Sequence, residues 1–139
     1  MKPEITIRKH ANQLASVLLR RFAFEATRAA KPGNSEAVHD LRVSIRRLAH
    51  CLRLFGKFFP HGKAKAIRGE LQELMRQAAV VRNRDVALEL LERAGMRPAS
   101  PVIAKLKRER EREHRLLREV LRVWTRSGAF KRWRSQLEL

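Results

Sequence analysis

Six potential cations share one face of a segment in the first half of the chain: His39, Arg42, Arg46, His50, Arg53 and Lys57, spaced 3-4-4-3-4. That spacing stacks side chains along one side of an α-helix. No carboxylate interrupts the stretch between Asp40 and Glu70. Like charges gathered on one face repel each other until an anion sits among them, so the chemistry suggested is recognition of a polyanion. Most of the cations in the chain are Arg, whose planar fork matches phosphate oxygens bidentately where an ammonium acts as a point charge. A second row, Lys105, Arg108, Arg112, Arg115 and Arg122, recurs near the other end with Glu119 interrupting it, and Arg20, Arg21 and Arg28 stand ready to flank a groove. If the helices carrying these rows pack as antiparallel neighbours, the rows face each other across a channel suited to a long chain of phosphates.

The elements that must position these side chains are helices. Six Gly and five Pro cluster at a few places and leave long stretches of helical periodicity between them. Pro32-Gly33-Asn34-Ser35 ends a first helix of roughly 5–29, and Asn34 or Ser35 can cap the next. The other helices are expected at roughly 35–58, 63–94 and 101–126, with a short terminal piece at 128–138. Val38, Leu41, Ile45, Leu48, Leu52 and Phe55 form one apolar seam, and the basic stripe lies one residue, or about 100°, from it. Ile67, Leu71, Leu74, Ala78 and Val81, then Leu88 and Leu91, form another. The expected class is therefore all-α, an antiparallel four-helix bundle with short connections. Lys107 to Arg115 holds no apolar residue over more than two turns, so this part of the fourth helix is expected to project from the core, held by pairs such as Glu109 with Arg112 and Glu111 with Arg115.

Length and composition agree with one domain spanning residues 1–139. A hydrophobic share of 44% is enough to bury a core, and a formal net charge of +18 implies an anionic partner. The single cysteine, Cys51, allows neither an intrachain disulfide nor a cysteine metal cluster. The opening MKPEITIRKH lacks the apolar run of a signal peptide, and no run of about 18 apolar residues exists. A soluble, cytoplasmic protein is expected.

The segment EAVHDLRVSIRRLAHCLRLF, residues 36–55, resembles the defining motif of the CHAD domain, the conserved-histidine α-helical domain. The match includes Val38-His39, Arg42-Val43, Arg46-Arg47 and the Leu52 to Phe55 ending. A second stretch, VVRNRDVALELL at 80–91, resembles that family's Val-Arg-Asp-x-Asp-Val element through Arg82 and Asp85, with Asn83 in place of the first Asp. The resemblance implies a helical bundle that binds inorganic polyphosphate along a basic channel, with no chemistry of its own. Carried over by position, His39, Arg42, Arg46 and Arg53 form the core of the site, joined by Lys57 and Arg82. His50, Lys105, Arg108, Arg112 and Arg115 rest on periodicity, the last three with a loose match to the family. Family members are typically about twice this long, with two related bundles around a pseudo-twofold axis. A homodimer that restores the missing half is therefore expected, the alternative being a monomer with an open basic face or a fragment. A cytoplasmic setting, with polyphosphate granules as one location in it, is the expectation.

Other classes are weaker readings of the same residues. Nonspecific RNA binding is the main alternative, since basic helical faces are its footprint too, and some affinity at low salt is expected. Yet the aromatics fall on apolar seams, and no known nucleic-acid motif is present. Trp124 and Trp133 are expected in the core or at a dimer contact. An enzyme is not expected: Glu70 with Glu73 and Glu89 with Glu92 are solvated pairs at i, i+3, and the remaining carboxylates are dispersed among arginines. No metal or other cofactor is expected either, because His39 and His50 stand about three turns apart on one helix. His39 is instead expected to donate to a phosphate oxygen, with binding tightening as its ring protonates.

Overall fold

A computed structural model of the protein describes residues 3–33 and 35–139. Five α-helices follow one another: α1 (Pro3–Ala29), α2 (Ser35–Leu54), α3 (Lys63–Arg93), α4 (Pro101–Arg126) and the short α5 (Ala129–Gln136). A single 3-10 turn, Gly56–Phe58, follows α2, so the expected second helix ends one turn early. The capping candidate Asn34 lies outside the described residues.

Helix ends follow local chemistry. The Ser100 hydroxyl accepts from the Val102 amide at 3.3 Å and Pro101 takes the first position of α4, where its missing N–H costs nothing. At the end of α3, Gly95 sits at φ 83°. There the Gly95 amide donates to the Glu92 carbonyl and the Met96 amide to the Leu91 carbonyl, a pairing that satisfies carbonyls the helix leaves open. The chain's last turn repeats this pairing with Glu138 at φ 54°, a conformation that favours glycine.

Each long helix packs on the one before it, and α4 returns to lie beside α1, so α2 and α4 occupy opposite corners of the bundle. The α2 seam is buried as expected from Val38 to Leu52, with Phe55 half-buried. Cys51 lies under α1 with 4% of its surface exposed, and burial pushes its thiol pKa up. The α5 helix folds back to place Trp133, fully buried, against Phe22 of α1, with ring centroids 5.8 Å apart and nearly parallel planes. Trp124 of α4 meets both rings edge-on at 4.9 and 5.2 Å, so both indoles belong to the core.

Two expectations are corrected here. The α3 seam leaves Leu88 and Leu91 only half-buried and continues instead through Asp85, which is buried. The apolar-free part of α4 does not project. Arg110 reaches Asp85 at 2.8 Å and Arg84 of α3 reaches Glu109 at 3.1 Å, while His114 is completely buried. Glu109 and Glu111 therefore pair with Arg84 and Arg118 rather than with Arg112 and Arg115. Polar side chains fill the α3–α4 seam at this level because each finds a charged partner there.

Candidate functional site

The groove between α2 and α3 gathers three of the expected site residues, Arg46, His50 and Arg53. The basic stripe is offset from the buried seam of α2 toward α3, so Arg46, His50 and Arg53 stand on one wall. Lys65, Arg68 and Arg76 of α3 stand on the other, above a floor of Ile45, Ala49, Leu71, Met75 and Ala79. The cavity measures about 710 Å³, and no carboxylate lines it. Gly69 lies on the α3 wall, where a Cβ would meet nothing within 4 Å.

Close to this groove, Arg42 sits in the field of Arg46 and Arg82. Its pKa is lowered, first by burial and then by those two like charges. Arg42 Nε and Arg82 Nη1 are both shielded from water without a hydrogen-bond partner. The nearest carboxylate to Arg82 is Glu89, 3.9 Å away and beyond hydrogen-bond reach. A buried guanidinium donor without an acceptor is costly, and the repulsion among Arg42, Arg46 and Arg82 adds to it; an anion in the groove would relieve that repulsion. Arg53 Nη2 stands 3.3 Å from His50 Nδ1, which orders the two side chains on the same turn.

Not every expected residue joins this assembly. His39 is exposed in the first turn of α2, outside the groove lining. Lys57 lies in the 3-10 turn with its ammonium 5.1 Å from the centre of the Phe58 ring. Arg21 and Arg28 are bound to the buried Glu25 within α1, and Arg28 also to Asp40, so Arg28 braces α1 against α2. Lys105, Arg108, Arg112 and Arg115 are exposed and do not face the α2 stripe across a channel. They lie on the side of α4 opposite the buried Ile103, His114, Leu117 and Leu121, and only adjacent corners of a bundle share a groove. Lys65, Arg68 and Arg76 are the cations missed in the sequence. The rule used for α2 finds Arg68, one residue beyond Ile67 of the α3 seam; Lys65 and Arg76 follow Ala64 and Met75, which that seam did not include.

Between α3 and α4 lies a second polar cluster. Both Arg110 Nη1 and Arg118 Nη1 approach His114 Nδ1 at 3.2 Å, so Nδ1 accepts and the proton resides on Nε2, which has no partner. Burial, then Arg110 and Arg118, lower the His114 pKa against the smaller opposing pull of Glu111 and Asp85. This imidazole is neutral and structural. Among the described residues no three of His, Cys, Asp and Glu are grouped so as to hold a metal ion, and no helix is long and apolar enough to cross a membrane.

Comparison with known proteins agrees with the motifs at 36–55 and 80–91. Neither curated proteins nor solved structures gave a match. The family model of the CHAD domain matches residues 14–138, which takes in the α2–α3 groove, the α3–α4 cluster and the Trp133 anchor, and the chain therefore belongs to the CHAD-domain family.

Proposed function

We propose that this protein binds inorganic polyphosphate in the α2–α3 groove and performs no chemistry on it. The observation that carries the reading is a groove walled by Arg46, His50 and Arg53 on one side and Lys65, Arg68 and Arg76 on the other, which no carboxylate lines and beside which Arg42 and Arg82 add like charge. Phosphate oxygens are strong acceptors with the geometry a guanidinium fork requires. Phe and Trp are absent from the groove lining, so bases of a single-stranded nucleic acid would find no ring of that kind to stack on. Polyphosphate is favoured over RNA on that ground.

A second copy of the chain is the partner proposed with it. The support is an apolar hollow between α1 and α2, formed by Leu14, Leu18, Cys51, Leu54 and Phe55, which shares Arg46 and His50 with the basic groove. A copy seated there would cover the apolar surface and bring two basic grooves together. The proposed setting is the cytoplasm, at polyphosphate deposits.

A competition titration at near-physiological salt tests the ligand. Labelled long-chain polyphosphate is displaced by unlabelled polyphosphate or by single-stranded RNA of equal charge, and preferential displacement by polyphosphate is expected. Equal displacement would reduce the groove to a generic cationic surface. Sedimentation with and without polyphosphate tests the second copy.

A further inference from the structure

The outward row of α4 is left unexplained by the groove. Lys105, Arg108, Arg112 and Arg115 are all exposed, spaced 3-4-3 over about 15 Å of helix. In sequence this stretch alternates Arg with Glu and looks self-neutralising. The fold separates the two signs. Glu109 turns to Arg84 of α3 and Glu111 to Arg118, while Arg110 turns inward to Asp85. Glu113 stays near the row, 4.0 Å from Arg112, an ion pair too long for a hydrogen bond, and Glu119, held by Arg122 at 3.6 Å, closes the row one turn beyond Arg115. What remains on the outer side of α4 is a convex ridge of cations whose local carboxylates are largely committed elsewhere.

That ridge points away from the α2–α3 groove, because α4 occupies the corner opposite α2. The exposed surface of α3 between them carries Glu73, paired with Arg76, and the uncharged Gln72, Asn83 and Leu90. A straight segment of polyanion lying in the groove cannot touch the ridge.

We propose that the α4 ridge is a second, weaker polyanion site, so that one molecule joins two phosphate strands, or two distant parts of one strand. The inference rests on the phosphate reading of the groove. Two sites on opposite sides make the protein a cross-link, and cross-links convert binding of a long polymer into its condensation. The ridge lacks concavity and buried donors, so its binding is mainly electrostatic and falls steeply with salt.

Light scattering of the full chain mixed with long-chain polyphosphate at low salt tests this, together with the affinity for a short chain that spans one site only. The triple variant Arg108→Gln, Arg112→Gln, Arg115→Gln is expected to keep the short-chain affinity and lose the scattering. A control removing equal charge elsewhere, Lys31→Gln, Arg97→Gln, Lys131→Gln, is expected to keep both. Scattering that survives in the ridge variant, or is lost equally in the control, overturns the second site. Short-chain binding by the wild type without scattering of the long chain overturns it too. A wild type that fails to bind the short chain removes the groove reading itself, and this inference with it.

Discussion

Arg110 of α4 donates from Nε to Oδ1 of Asp85 on α3 at 2.8 Å, with both side chains largely shielded from water. The pair replaces an apolar contact where the α3 seam meets a stretch of α4 that has no apolar residue to offer. Truncating one member leaves the other charged and buried, so Asp85→Ala is expected to cost about 2–4 kcal/mol in urea denaturation. A double variant, Asp85→Leu with Arg110→Met, is expected to recover most of that loss.

His114 gives stability a pH dependence. Its folded-state pKa lies below the ordinary value near 6.5, so in the window just beneath that value the unfolded chain binds a proton that the folded chain does not. Stability is then full above about pH 6.5 and falls as pH drops toward the lowered value. Arg110 and Arg118 face the ring and oppose its protonation, while Glu111 and Asp85 moderate them. Chemical denaturation followed from pH 7.5 to 5 is expected to show this loss, and His114→Leu to flatten it over the same range.

Arg42 is expected to trade stability against binding. Its buried Nε has no acceptor, and Arg46 and Arg82 repel its charge. Arg42→Met keeps the stem that packs along α2 and removes the orphaned donor, so a gain of roughly 0.5–1.5 kcal/mol is expected. Polyphosphate affinity is expected to fall in the same variant. A simultaneous loss of stability and binding would mean that the guanidinium is held by contacts within the protein.

Arg46→Gln combined with Arg53→Gln separates site from scaffold in another way. Both side chains are exposed, so the helical circular-dichroism signal and melting temperature are expected to stay near wild type. Binding is expected to weaken, and the slope of log affinity against log salt to become shallower by about two, one for each lost phosphate contact.

Trp133 is expected to be the costliest core position in the C-terminal part of the chain. It is fully buried and touches Phe22 and Trp124, so Trp133→Ala is expected to destabilise by about 3–5 kcal/mol in thermal or urea unfolding. Trp133→Phe should cost less, because it also removes an indole N–H that has no acceptor.

The all-helical bundle was legible because its breaks are chemically sharp: Pro101 starts α4 where expected, and Gly95 ends α3 within a residue of the expected limit. The α2 stripe was legible for a related reason, since a one-residue offset from an apolar seam is a fixed angle on a helix. Legibility failed where a side chain's partner lies on another helix. Nothing near Glu109 in sequence distinguishes Arg112, which it ignores, from the distant Arg84, which it holds. His114 resembled any solvated residue of a charged run until the approach of α3 enclosed it. The α4 row does not meet the α2 stripe because periodicity fixes which residues share a face, while the neighbours of that helix decide where the face points.

Cys51 has a practical consequence. A lone thiol held under α1, with its pKa raised by burial, reacts poorly while α1 and α2 stay together. Its alkylation under native conditions is therefore slow and quickens when that seam opens, so the labelling rate tracks how often the first two helices part. Because the thiol also lines the hollow beside Arg46 and His50, a molecule seated there slows the labelling without any tag being added to the protein.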